Sequence, residues 1–322
     1  MRLFLHVGLH KTGTTAVQKF LASNAATLAE QGVLYPSAGR EKSAHHLIGR
    51  DLWLHSGQEG TLLPLVEELR DSSLGNAIVS SEHLEYLSSD AQFECLRNHL
   101  EPFDVRIVVY LRRQDHFLAS SYAQDVKVNG FTCDIETYYR DTLERYDYGE
   151  ILARWAAVFG PENLIVRPYE AARLPRGVIP DFLDAVGIGW NENFLAVEAR
   201  PNTSLDEYGV RTMRVANTII QDEDERLAFR RALKAKGQKA PMAGWGLLSS
   251  DLRAELLQKY ADSNARVARK YLGRQDGRLF AEPESGCEAE SGPIDTESDD
   301  HLAQLVKEWR QSHRKTNLET SP

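Results

Sequence analysis

The stretch that most constrains this chain is its first fifteen residues, MRLFLHVGLHKTGTT. Arg2–Val7 is an apolar run that predicts a strand, Gly8–Gly13 a turn with a permissive residue at each end, and Thr14 onward a helix start. A helix N-terminus carries unpaired N–H groups and roughly +0.5 of a charge, so a junction of this kind suits an anion. The next residues encode the helix it requires: Val17, Phe20, Leu21, Asn24 and Leu28 recur near one face, while Gln18, Lys19 and Ser23 fall elsewhere. Gly32 stands where a C-terminal cap belongs.

The spacing is more informative than the composition. Gly8, four residues, Gly13 and then Thr14–Thr15 follow the nucleotide-loop pattern G-x-x-x-x-G-K-[ST], with Thr14 in the place of the lysine. The lysine lies inside the loop, at Lys11, where it sits nearer the first phosphate group bound than a triphosphate's β- and γ-phosphates. That argues against an ordinary ATPase or kinase. The stretch resembles the 5′-phosphosulfate loop of the PAPS-dependent sulfotransferases: apolar strand, Gly, a few residues, Lys, Ser or Thr, Gly-Thr-Thr, helix. The resemblance implies that His10, Lys11, Thr12, Gly13, Thr14 and Thr15 hold the 5′-phosphosulfate of PAPS, with Lys11 neutralising charge on the leaving phosphate.

A second signal lies in Asp104–Tyr122, DVRIVVYLRRQDHFLASSY. Val105–Leu111 is a β-branched apolar run that predicts a strand buried on both faces, ending at Arg112–Arg113 before a helix with Ser120, Ser121 and Tyr122. Arginine presents a planar fork that binds phosphate oxygens in pairs, and a serine about two helical turns further on can return to the same anion. This resembles the 3′-phosphate motif of the same family. Arg112 with Ser120 and Arg113 with Ser121 have equal spacing. The first register leaves one residue between serine and tyrosine, as in the carbohydrate-type enzymes, and is preferred; the second matches the phenol and steroid type. The chain departs from the family where Arg113-Gln114 replaces the frequent Asn-Pro, and the late Gly-rich, lysine-bearing loop is not recognisable.

Between these motifs, Leu62–Leu69 predicts a helix, Gly75 a break and Asn76–Ser80 a core strand, which runs into Ser81-Glu82-His83-Leu84. In an open parallel sheet, ligands bind beyond the carboxyl ends of strands. A serine N-cap with Glu82 in the first turn is an ordinary helix start and accounts equally well for these residues. The resemblance implies a general base here, glutamate in carbohydrate sulfotransferases and histidine in those acting on phenols and steroids. Glu82 is taken as the base, with the adjacent His83 as its substitute. His45 and His46 have no metal-ligand spacing and read as packing residues, although Gln31–Ser56 lies where an acceptor cleft would be lined.

The formal charge of −9 is concentrated in Ala281–Asp300, which carries eight acidic residues and no lysine or arginine. The rest is close to neutral, so an anionic donor has to be held by local charges. No basic stripe with interleaved aromatics supports nucleic-acid binding. No apolar run approaches the roughly 20 residues of a membrane span and no cationic leader is evident, which predicts no integral membrane segment and a cytoplasmic location. Cys95, Cys133 and Cys287 are widely spaced and fit no metal pattern. Later segments predict a strand at Asn163–Tyr169 and helices at Pro180–Val186, Leu205–Ile220 (capped by Asn202, Thr203 or Ser204), Ser249–Tyr271 and His301–Arg314. The basic stretch Arg230–Lys239 reads as a solvated helix face.

The expectation is therefore a P-loop NTPase-like, three-layer α/β/α fold with a central parallel sheet and a helical C-terminal elaboration. Residues 1–280 form the main domain, 281–300 an acidic linker, and 301–322 a tail with a short helix. By resemblance, PAPS donates its sulfuryl group to a hydroxyl, or an amine, of a carbohydrate or other small-molecule or glycolipid acceptor, with no metal. A small-molecule kinase and an inactive nucleotide-binding protein are the alternatives. The kinase needs a lysine at position 14 and a strand-end aspartate for Mg²⁺.

Overall fold

In the computed structural model, strands β1 (Arg2–His6), β2 (Val33–Leu34), β3 (Asn76–Ser80), β4 (Asp104–Leu111) and β5 (Leu164–Pro168) form one parallel sheet in the order β2-β3-β1-β4-β5. The structure describes residues 1–54, 60–196, 205–236, 245–281 and 298–319. β1, β3 and β4 are near-continuous apolar runs because helices cover both faces of each. Phe4, Ile78, Val108 and Tyr110 project to one face, against Val17, Phe20 and Leu21 of α1 (Thr14–Ser23) and Phe182 and Leu183 of the helix Val178–Ala185. By the alternation of the pleat, buried Leu3, Leu5, Ala77, Val79, Ile107 and Val109 project to the other face. The helix Tyr148–Phe159 packs on β4 and β5. The expected α/β class, with a central parallel sheet flanked by helices, is the fold observed.

Chain contacts divide the protein into two units. The first, Met1–Arg113, Asp147–Ala199 and Tyr260–Ala281, holds the sheet. The second, Gln114–Tyr146, Arg200–Lys259 and Glu282–Pro322, is helical in its described residues. Within it, the Asn217 amide on the helix Glu207–Ile219 donates to the Val126 and Phe131 carbonyls at 2.8 and 2.9 Å, and Arg310 clasps both oxygens of Glu225 at 2.8 and 2.9 Å.

Several elements differ from the sequence expectation for local reasons. The first helix divides at Asn24 into α1 and α2 (Ala25–Glu30). The buried Asn24 side chain donates to the Phe20 carbonyl at 2.9 Å and accepts from the Leu195 amide at 2.6 Å, so it competes with the helix ladder. Within residues 31–54, where the sequence predicts no element, lie β2, held by pairing with Asn76 and Ala77, and α3 (His46–Leu54). The single helix expected over Ser249–Tyr271 is two, Ser250–Lys259 and Ala261–Leu272, with Tyr260 between them. Asp206, not the Asn202–Ser204 group, caps the helix Glu207–Ile219, accepting from the Gly209 amide at 2.8 Å. The C-terminal helix, Asp299–Glu319, extends beyond the predicted 301–314 at both ends. Asn202, Thr203, Ser204, most of the acidic stretch 281–300 and the end of the basic stretch Arg230–Lys239 lie outside the described residues. Among the described residues no helix is long and apolar enough to cross a membrane.

Candidate functional site

Parallel pairing brings the predicted residues of the first unit to one edge. Because β1 lies between β3 and β4, three neighbouring strands leave the sheet at that edge as Val7–Gly13, Ser81–Glu82 and Arg112. The ladder continues past the strand ends: the Val7 and Leu9 amides donate to Val108 and Tyr110, each at 3.0 Å, and the Tyr110 amide returns to Gly8 at 2.7 Å. The loop is thus stitched to β4 before it turns.

Gly8 and Gly13 have φ of 101° and 81°. At Gly8 a Cβ would stand 3.2 Å from Glu82 Cβ and 3.3 Å from its Cα, so only glycine lets the loop lie this close to the end of β3. Gly13 caps α1 in the left-handed conformation, without a side-chain cap bond from the cap residue itself. Its first-turn residues Thr14 and Thr15 are respectively buried and exposed. Between the glycines, Lys11 also takes a left-handed conformation, φ 64°, which costs a non-glycine residue roughly 1–2 kcal/mol. Two bonds hold the loop there: the Arg112 guanidinium donates to the Lys11 carbonyl at 3.1 Å, and Thr12 Oγ1 to the Leu9 carbonyl at 2.5 Å. Arg112 also lies 6.0 Å from the centre of the Tyr169 ring, and its own carbonyl accepts from the Tyr148 hydroxyl at 2.5 Å. Lys11 and Arg112, separated by 101 positions, meet at one loop.

On the other side of the loop, Ser81 caps a short 3₁₀ turn, Glu82–Tyr86, accepting from the His83 amide at 3.3 Å. The residues read either as a helix start or as a catalytic end thus form the start of a turn that also carries the candidate base. The Gln18 side-chain amide donates to Glu82 Oε2, and His46 Nε2 lies 3.8 Å from Oε1. Burial pushes the Glu82 carboxyl upward, but His10, the Gln18 bond and His46 together outweigh it and hold the group below the usual carboxylate range. Glu82 is therefore ionised at neutral pH.

His83 stacks on His46 at 4.2 Å between ring centres and on His10 at 6.2 Å. Burial, then its two imidazole neighbours, hold His83 below the ordinary histidine value; burial does the same to His46, although Glu82 pulls the other way. His10 is pinned by one carboxylate: its amide donates to Glu85 Oε2 at 2.6 Å and its Nδ1 lies 2.8 Å from Oε1. The paired histidines separate. His45 is a core residue, as expected, accepting from the Ser80 amide at 3.1 Å and donating to the Pro36 carbonyl at 3.0 Å, whereas its neighbour reaches Glu82. Ser120 belongs to the second unit, on the helix Gln114–Val128, where it is half-buried beside the buried Ser121.

Gln18, His46, Glu85 and Tyr169 stand at this site without having been singled out as functional from the sequence. For Gln18 a signal existed: it lies four positions after Thr14, hence on the same face as the first turn of α1, the predicted anion site. Its polarity placed it off the apolar stripe, yet it is 2% exposed.

No protein-family model matches the chain. A protein of Archaeoglobus fulgidus described only as uncharacterized is 30% identical over 182 residues, 56% of this chain and 49% of that protein. The chain therefore matches about half the length of that relative. Among solved structures, a sulfotransferase from Alicyclobacillus acidocaldarius covers 84% of this chain and 96% of its own, with 17% identity and a TM-score of 0.47.

Proposed function

We propose that the chain is a PAPS-dependent sulfotransferase, moving a sulfuryl group to a hydroxyl of a carbohydrate or other small acceptor. The observation that carries this reading is the bond from the Arg112 guanidinium to the Lys11 carbonyl, which joins a lysine-bearing phosphate loop to an arginine at the next strand end. An ionised, partly buried carboxylate, Glu82, stands on the opposite side of the same loop. Lys11 lies within the loop and Thr14 stands where a triphosphate enzyme keeps its lysine, which favours a donor whose first phosphate carries the transferred group.

In this reading, the loop residues His10–Thr15 hold the 5′-phosphosulfate, and Lys11 stabilises the negative charge that grows on the leaving phosphate. Arg112 takes the 3′-phosphate, the role in which the sequence motif also puts Ser120. Glu82 accepts the hydroxyl proton as the acceptor oxygen bonds to sulfur and the sulfur–phosphate oxygen bond breaks, leaving adenosine 3′,5′-bisphosphate. Catalysis is mostly positioning and electrostatics, and no step is routed through a metal.

Calorimetry tests the donor class without knowledge of the acceptor. The wild-type chain is expected to bind adenosine 3′,5′-bisphosphate without metal, and Arg112→Ala to weaken it about 10- to 100-fold, the loss of a charge-assisted bond worth roughly 1.5–3 kcal/mol. Binding of ATP–Mg²⁺ in its place would overturn the reading in favour of the kinase.

A further inference from the structure

One helix carries both the anion-binding turn and a buried amide on the candidate base. Gln18 follows Thr14 by four positions on α1, so the two lie on one face about 6 Å apart along the axis. Both are buried, Thr14 at 4% and Gln18 at 2% exposure. An ionised carboxylate only accepts hydrogen bonds, so the Gln18–Glu82 contact uses the amide N–H₂ and occupies Oε2. Gly8 lies against Glu82 Cβ and Cα and restricts the stem of the side chain. At Oε1, His46 Nε2 lies 3.8 Å away, too far for a hydrogen bond. An amide suits this place: it orients the carboxylate without bringing in the positive charge that would neutralise it.

Resting on the sulfotransferase reading, we infer that Gln18 is the positioning residue of Glu82, fixing Oε2 so that Oε1 is the oxygen that takes the acceptor's proton. The base is thereby tied to the helix whose first turn holds the donor, and the distance between them is set by one turn of backbone. The titratable groups that act on or feel Glu82 are His10 from the loop, His46 from α3, His83 on its own turn, and the buried His6 and Tyr35, while Glu85 of the same turn pairs with His10. Gln18 brings a neutral side-chain donor to Oε2, and Glu82's own backbone amide is a second uncharged donor to the carboxylate.

The test uses the full chain with ¹³C-labelled glutamate, the Glu82 signal being assigned from Glu82→Gln. In Gln18→Met, which keeps the volume and removes the donor, the Glu82 carboxyl titration is expected to move to higher pH. In wild type, the Gln18 side-chain NH₂ signals are expected to shift with the same midpoint as Glu82. PAPS turnover in Gln18→Met falls about 10- to 100-fold, with the acid limb of its pH profile displaced upward alongside the carboxyl titration. A lost packing contact alone would not move that limb. An unchanged Glu82 titration, or Gln18 NH₂ signals indifferent to it, overturns the inference. The second of these is read on wild type and stands even where the variant fails to fold. Failure of wild type to bind adenosine 3′,5′-bisphosphate would instead strike the sulfotransferase reading and leave the Gln18–Glu82 coupling measurable.

Discussion

At the scale of single residues, Glu82 and His83 are adjacent on one turn, and the chemistry of their surroundings separates them. Glu82 is held ionised by His10, Gln18 and His46 against the upward push of its burial, while His83 is stacked between two imidazoles and half-buried. A base must be unprotonated, and the carboxyl of Glu82 lies below the ordinary glutamate value. Turnover should therefore persist on the acid side and fall only as the pH drops through that lowered value. Glu82→Gln is expected to reduce PAPS turnover about 10²- to 10⁴-fold, the range of general-base catalysis, while adenosine 3′,5′-bisphosphate still binds. Release of the bisphosphate across a panel of hydroxyl acceptors measures it; full turnover in the variant would pass the role to His83. The sequence made the two candidates visible and ranked Glu82 first only through the resemblance. What sets their surroundings apart are partners of Glu82 that lie 64 and 36 positions away, Gln18 and His46, whose approach depends on how α1 and α3 fold over the strand ends.

At the scale of elements, the segments easiest to read were those with two covered faces. β3 has its predicted ends, and β4 adds only Asp104 to the predicted run, because a parallel strand covered on both sides is apolar almost throughout, with Arg106 the one charged residue inside β4. The motif glycines were legible for a similar reason, since left-handed turns leave few choices. Less legible was α3, inside a stretch rich in turn residues, because its position is fixed by a contact no local pattern encodes. A Cβ on Gly49 would stand 2.7 Å from His83 Cβ, 2.9 Å from its carbonyl carbon and 3.0 Å from the Leu84 nitrogen. The helix therefore rests directly on the 3₁₀ turn. Gly49→Ala is expected to destabilise the fold by about 1–3 kcal/mol, as overpacking does, and to push His46 away from His83 and Glu82. Thermal melting would show the lowered midpoint. Histidine NMR would show His46 and His83 moving back toward the ordinary imidazole value. An unshifted melt would mean that α3 does not rest on this contact.

At the scale of the whole molecule, the same apolar sheet that presents the loop also encloses two histidines, and this makes its folding sensitive to acid. His6, in the central strand, and His45 both have pKa lowered to about 4, by burial above all. Glu82 pulls His6 upward without restoring it, and the Pro36 bond does the same for His45. The bonds specify the neutral form of His45: Nδ1 accepts from the Ser80 amide, so a proton there would face another N–H. His6 Nδ1 meets the Ser80 hydroxyl at 2.8 Å, while its buried Nε2 has no hydrogen-bond partner among the described residues to support a cation. In the unfolded chain each histidine titrates near 6.5, so protons bind the unfolded state first as the pH falls. The neutral histidines thus contribute their full stability above pH 6.5. They lose it progressively between 6.5 and about 4, on the order of 3 kcal/mol each below that window. Because both act on Ser80, their effects should fall short of the sum. Urea unfolding at pH 7, 5.5 and 4.5 is expected to show a steadily falling midpoint at constant slope. In His6→Leu the fall should be reduced by about half, since one of the two titrating groups is gone and the cavity remains apolar. A wild-type midpoint that stayed level across this window would mean the histidines are charged, or reached by water, in the native sheet.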